Sequence, residues 1–350
     1  MTFVTSSSLR PLFHALSIGL FSGALFDLCS LPLPWMLGPL VGNLIASIRG
    51  FAVGVPESLR LAFLGVLGLI LGAQVSPDLA ARLLDWPVSA VLLLIGVGCS
   101  TAACASWYRR TGFDPVSAWF ASAPGAMTAM ITMGEACGGD PRKIAISQSL
   151  RVVLVLLILP PLFWFQQGAG SVGANDASQK DASALYLLLL LPLLIGIGRR
   201  CRLPTPALLA PLLLSASLSA TDTAHFVLPN WTQNGMLLVL GCAIGSRFQG
   251  MSRTLLAHHL YGASIATLIS LLVLAVFAEA IHQVVGVSRA VAILAVAPGG
   301  IGELAILAVA LDLDPTFVAF HHLLRLVVLM FFAPIWARWL SARGSRGGAP

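Results

Sequence analysis

Apolar positions in this chain gather in long, nearly uninterrupted runs, not in the period-two alternation of half-buried strands. Stretches such as 184–198 and 255–280 carry almost no charge. About 20 apolar residues at 1.5 Å rise each cover roughly 30 Å of hydrocarbon. Twelve apolar segments of this kind can be marked. Six run near 11–28, 34–49, 58–76, 87–107, 116–136 and 143–165. Six more run near 183–198, 204–221, 231–247, 254–280, 289–311 and 316–340. The polar, glycine-rich stretch 166–182 between the two sets reads as a linker. Helix starts are marked by Asp114-Pro115, Asp140-Pro141 and Asp314-Pro315, each a capping Asp before a first-turn Pro, and by Ser288. The pattern predicts an all-α integral membrane protein.

The two sets are copies of one another. LPLPWMLGPL at 31–40 matches LPTPALLAPL at 203–212, an offset of 172. Gly68 and Gly72 fall on Gly241 and Gly245 at 173. Ala123-Pro124-Gly125 falls on Ala297-Pro298-Gly299, Asp140-Pro141 on Asp314-Pro315, Arg151 on Arg325 and Pro160 on Pro334, all at 174. The order and small drift mark a duplication. The expected organisation is a first membrane repeat at 1–165, the linker 166–182, a second repeat at 183–340 and a basic tail at 341–350. Arg10 followed by an apolar stretch has the look of a signal peptide, yet it has a counterpart in the second half and reads as the first span.

Charge placement separates two topologies. If all twelve segments cross, loop Lys and Arg divide ten against eight, which orients nothing. If the fifth segment of each half dips in and returns, each half has five crossings and the second copy is inverted. The division then becomes fifteen against three, the three being Arg82, Lys180 and Arg289. A bias that steep is what the positive-inside rule demands. The expectation is an inverted 5+5 arrangement with a re-entrant or broken segment at each Ala-Pro-Gly and with both termini cytoplasmic.

Composition agrees with a membrane class. Hydrophobic residues make up 57% and charged residues 10% of 350 positions, against about a quarter charged in soluble domains. The net charge of +6 is spread in pairs between apolar runs, so it implies no nucleic-acid partner. The six cysteines form no Cys-x-x-Cys pair and read as small buried hydrophobes.

Candidate chemistry centres on the two breaks, Pro124-Gly125 and Pro298-Gly299-Gly300. Broken backbone in a membrane is tolerated around a cavity or ligand, or as a kink packed on neighbouring helices. A helix restarting after a break aims its amides inward, which favours an anion. Glu303 stands beside the second break, where it could bind a cation, carry a proton or pair with an arginine; its counterpart is Ala129. Arg151 and Arg325 lie deep in equivalent segments, and their partners could be an anionic substrate, Glu303 or exposed hairpin carbonyls. The adjacent pairs His258-His259 and His321-His322 point about 100° apart on a helix, which does not chelate one metal. His321 and His322 could titrate near Arg325, though packing explains them. No metal site, cofactor, nucleotide loop or nucleophile–base constellation is expected, so a monooxygenase or other enzyme is not.

The motifs LPLPWMLGPLVGNL, GLILGAQVSPD and APGAM…GGDPRKIAISQSLRV, answered by LPTPALLAP and APGGIGEL…LDLDPTFVAFHHLLRL, resemble the AbrB-duplication family of bacterial membrane proteins. The resemblance spans nearly the whole chain outside the linker. Members have carried the provisional labels ammonia monooxygenase and regulator of aidB expression. What the resemblance implies is architecture more than substrate. The leading expectation is a secondary transporter or exporter of a small anionic or zwitterionic solute. The alternative is a membrane-embedded regulator of gene expression. The partners expected are the lipid bilayer, a small-molecule or ion substrate and, as an option, further copies of the chain.

Overall fold

The computed structural model describes residues 6–75, 86–125, 127–167, 184–221, 226 and 230–344. Arg82, Lys180, positions 168–182 of the linker and the tail beyond Gly344 lie outside the described residues. Among the described residues the fold is helical, without strands. The first half supplies α1 (Ser6–Leu28), α2 (Pro34–Arg49), α3 (Glu57–Ala73), α4 (Trp86–Arg110), α5 (Pro115–Ser122), α6 (Met127–Ala136) and α7 (Pro141–Gln167). The second supplies α8 (Ala184–Arg200), α9 (Pro206–Ala220), α10 (Asn230–Gly245), α11 (Arg253–Val285), α12 (Arg289–Val296), α13 (Ile301–Ala310) and α14 (Pro315–Gly344).

Five of these, α1, α4, α7, α11 and α14, are long and apolar enough to cross a membrane. Helices α2, α3, α8, α9 and α10 have only 15 to 17 residues, roughly 22–26 Å at 1.5 Å per residue. Ten crossings were expected, some from apolar runs as short as 34–49, and five of the helices at those places are this short. Part of the reason is a shared chain entry: Leu33 before α2 and Thr205 before α9 are left-handed, at φ 44° and 48°, and each hands over to a first-turn Pro. Left-handed backbone recurs elsewhere at the repeat offset, in Ser30 and Arg202, Gly112 and Gly286, and Gly138 and Asp312.

The chain packs as two compact units that cut across the sequence halves. One comprises Met1–Arg82, Leu159–Met251 and Ala305–Thr316; the other comprises Leu83–Ile158, Ser252–Leu304 and Phe317–Pro350.

In the first unit, α3 packs on α9 and α2 on α10, with α1 and α8 alongside. Glycine makes these contacts close. A Cβ at Gly68 or Gly72 would run into the Leu208 and Leu212 carbonyls, and one at Gly241 or Gly245 into those of Met36 and Leu40. Each pair is a Gly-x-x-x-Gly face that admits a neighbouring backbone. Both contacts advance in the same chain direction, so each pair of helices is parallel. Hydroxyls fasten them: Ser215 Oγ donates to Leu69 O at 2.7 Å and Ser47 Oγ to Gly245 O at 3.1 Å. Buried Asn43 ties α2 to α1 through Ala15 O at 3.0 Å and to α10 through Cys242 Sγ at 3.3 Å.

In the second unit, α4 packs along α11. Ser100 and Ser270 hydroxyls meet at 2.8 Å, Cys104 Sγ donates to Ala266 O at 3.2 Å, and Trp107 Nε1 donates to Gly262 O at 3.0 Å. Partners descend as the α4 number rises, so these two helices are antiparallel. The cysteine expectation needs correcting: only Cys104 and Cys242 are buried, while Cys29, Cys99 and Cys201 are exposed. Exposed apolar side chains such as Phe21 and Val276 suit a surface that meets lipid tails instead of water.

Candidate functional site

The fifth segment of each half breaks at its Ala-Pro-Gly, leaving α5 and α6 in the first half and α12 and α13 in the second. Side-chain caps start the first helix of each pair: Asp114 accepts from Ser117 N–H at 2.8 Å and Ser288 from Val291 N–H at 3.3 Å. Both breaks close with the same tight turn. Gly125 N–H reaches Ala123 O at 3.0 Å, and Gly299 N–H reaches Ala297 O at 3.0 Å. This is the i to i+2 pattern, with Pro124 or Pro298 at the centre, where a fixed φ favours it. The first segment then returns to where it began. Asp140 N–H donates to Ser117 Oγ at 2.7 Å, and Gly134 lies against Phe120.

A helix that ends inside a protein leaves carbonyls without partners and a partial negative charge of about half a unit. Arg151, on α7, and Arg325, on α14, supply the missing donors. Arg151 Nη1 donates to Ser122 O at 3.0 Å and Ala121 O at 3.4 Å, and its Nη2 reaches Ala123 O at 3.5 Å. Arg325 Nη1 donates to Ala297 O at 2.7 Å and Nη2 to Gly299 O at 2.6 Å. Of the three partners open in the sequence, the hairpin carbonyls are the ones engaged. Charge-assisted bonds of this kind contribute about 1.5–3 kcal/mol each, and they let a guanidinium lie buried without a carboxylate.

One turn earlier on the same helix face, each arginine has a helper: Gln148, which sequence inspection overlooked, and His322, which it placed near Arg325 but set down to packing. Gln148 Oε1 accepts from Arg151 Nη2, while its Nε2 donates to Phe120 O at 2.8 Å and Ala123 O at 2.9 Å. His322 Nδ1 accepts from Arg325 Nη2 at 2.8 Å, and its Nε2 donates to Leu294 O at 2.8 Å. Positions 148 and 322, 151 and 325, 120 and 294, and 123 and 297 all stand 174 apart. The same clamp is built twice. A guanidinium has only donors, so His322 must accept at Nδ1 and carry its proton on Nε2. The signal available in the sequence was Gln-x-x-Arg aligned with His-x-x-Arg at the repeat offset.

The remaining candidates separate by half. Gly300 and Glu303 open α13, and a Cβ at Gly300 would overlap the Glu303 carboxylate. The buried Glu303 thus curls back toward the amide end of its own helix, as the third-position Glu of a capping box does. Around α6 the equivalent residue is Ala129, with no carboxylate. Gly125 instead faces Leu329. In the first clamp, buried Arg151 Nε has no hydrogen-bond partner among the described residues. His321 is locked differently from its neighbour, with Nδ1 donating to Phe317 O at 2.8 Å and Nε2 at 2.9 Å from Ser89 Oγ, among the Trp86 and Phe317 rings. Among the described residues no group of three or more His, Cys, Asp or Glu side chains could hold a metal ion.

Known proteins share this sequence at low identity over nearly its full length. The chain is 26% identical to an Escherichia coli (strain K12) protein provisionally named regulator AbrB, across 91% of this chain and 93% of that protein. It is 25% identical to the uncharacterised YhjN protein of Bacillus subtilis (strain 168), across 93% of this chain and 92% of that one. A family model described as transition state regulatory protein AbrB matches residues 35–341. Carrying that match across both repeats and both arginine clamps, the chain belongs to the AbrB family.

Proposed function

We propose that this protein is a secondary transporter of a small anionic or zwitterionic solute, built from two inverted copies of a five-span module with a re-entrant hairpin in each. The observation that carries this reading is the duplicated clamp: two broken hairpins, each held by a buried arginine on the following helix. Inversion draws support from helix direction. Helices α4 and α11 are repeat equivalents, and they run antiparallel; a duplication with both copies facing the same way would run them together. The parallel pairs α2 with α10 and α3 with α9 point the same way, because α9 is the equivalent of α2 and α10 of α3. The charge bias of the loops agrees, placing both termini in the cytoplasm of a bacterial inner membrane.

Each hairpin presents a carbonyl end and an amide end at the break. The arginines neutralise the carbonyl ends. In the second hairpin Glu303 supplies negative charge at the amide end, while the first has none and leaves Arg151 Nε as a spare buried donor. An anionic group of the solute fits the first hairpin, beside Pro124 and Gly125, and Glu303 with Arg325 answers the coupling ion beside Pro298, Gly299 and Gly300. The test is solute counterflow in proteoliposomes under imposed proton or sodium gradients, using a panel of small carboxylates and amino acids. Native protein should drive flux of at least one solute, and Glu303→Gln should uncouple it from the gradient. Flux of none, under either gradient, rejects transport.

A second reading, regulation of gene expression from the membrane, is favoured by the family description and the name of the Escherichia coli relative. A transporter that moves an effector metabolite would produce such a phenotype as well.

A further inference from the structure

We propose that His322 is a proton-binding site that releases the second hairpin, and that the first hairpin is proton-insensitive because Gln148 occupies the equivalent place. This rests on the transport reading only in naming the proton as coupling ion; the switch itself follows from the clamp. The His322 Nδ1 lone pair has two mutually exclusive uses. It accepts the Arg325 Nη2 hydrogen at 2.8 Å, or it takes a proton from water. With a proton on Nδ1, both ring nitrogens become donors, and the N–H and positive charge face the guanidinium directly. The two cations cannot keep that contact, so Arg325 must leave. Its departure frees the Ala297 and Gly299 carbonyls that it holds. One N–H bond forms as a hydronium O–H bond breaks and leaves water, and the three Arg325 hydrogen bonds to His322, Ala297 and Gly299 are lost.

Among the described residues, the titratable and charged groups nearest the ring lie on α14, α7 and α13. On α14 the titratable neighbours are Arg325 and His321. His321 is occupied by Phe317 O and Ser89 Oγ. From α12 the ring meets the Leu294 carbonyl. On α7, Arg151 is near enough for its charge to act on Arg325, which favours Arg325 leaving once a further cation forms. Glu303, at the start of α13 just past Gly299, is the carboxylate of this hairpin. In the first clamp the Gln148 amide has a fixed acceptor and fixed donors, and it takes no proton in the physiological range. The two repeats therefore differ at one position in whether they sense pH.

The sign follows from the hydrogen bond. The clamp needs neutral His322, so it holds at high pH and loosens as pH falls. A one-proton release changes hairpin opening by about tenfold per pH unit below the point where the ring binds its proton.

Backbone amide exchange in the purified full-length protein in nanodiscs, followed by mass spectrometry between pH 5 and pH 8 and corrected for intrinsic exchange, reads both hairpins at once. Native protein should lose protection around 297–304 at low pH by about tenfold or more, with 123–130 unchanged. His322→Gln should abolish that dependence, and Gln148→His should create it at 123–130. If His322→Gln keeps the native pH response, or native protein has none, the proposal is overturned. Should His322→Gln fail to fold, Gln148→His decides: a first hairpin still indifferent to pH contradicts the switch. None of these readouts depends on flux, so a failed transport assay and a failed proton switch are told apart.

Discussion

The two clamps share a backbone turn, a buried arginine and a carbonyl target, yet they differ in the residues that flank that arginine and that open the following half-helix. The first pairs Arg151 with Gln148 and leaves Arg151 Nε without a partner among the described residues. The second pairs Arg325 with His322 and adds Glu303 at the amide end of α13. What duplication preserved is the device that makes a broken helix tolerable in a membrane. What it let diverge is the chemistry around that device. On the transport reading, equivalent positions with unequal residues are where the two halves take different tasks.

The largest way to break the comparison is to remove an arginine. Arg151→Leu or Arg325→Leu strands buried carbonyls and a half-helix end, and each should cost about 3–5 kcal/mol, the range for deleting one partner of a buried charged network. Thermal unfolding of detergent-purified variants measures it. Similar losses at both sites support one shared device; a loss at one site alone makes the other arginine a ligand group.

Next in size is the glycine contact of the other unit. Gly72→Leu and Gly245→Leu push side chains into the Leu212 and Leu40 carbonyls, and each should destabilise by about 1–3 kcal/mol or more through overpacking. Equal penalties are expected, since here the halves have not diverged.

The smallest effect tests a turn. Gly138 and Asp312 are equivalent and both left-handed, at φ 85° and 51°. Gly138→Ala should cost about 1 kcal/mol, whereas Asp312→Gly should stabilise by about 0.5–1 kcal/mol by removing a Cβ from a position that disfavours it. Matching changes in melting temperature would show that the two turns are built alike.

Much of this was legible in the sequence, for local reasons. Pro-Gly inside an apolar run breaks a helix wherever it sits, so Pro124-Gly125 and Pro298-Gly299 announced both breaks. Asp114 and Ser288 cap because their side chains reach amides three residues on. The partner of Arg151 could not be read, because an anion, a carboxylate and a carbonyl satisfy a guanidinium equally well on paper. Gln148 escaped notice as one polar residue in an apolar helix, and His322 was set down to packing. The repeat offset shows which residues are equivalent, not which helices touch. Hence the division into two units that mix the halves was invisible, although Gly68 and Gly72 already marked a face for close packing. Helix length was legible at 34–49, where α2 matches the apolar run residue for residue.

The inverted arrangement is tested most directly by the sidedness of two exposed positions, 142 in the first turn of α7 and 312 in the turn before α14. Single cysteines there, Arg142→Cys and Asp312→Cys in an otherwise cysteine-free chain, can be labelled in intact cells and in inverted vesicles with a membrane-impermeant thiol reagent. Opposed copies predict that 142 reacts only from the cytoplasmic face and 312 only from the outer face. Reaction of both from one face would contradict it.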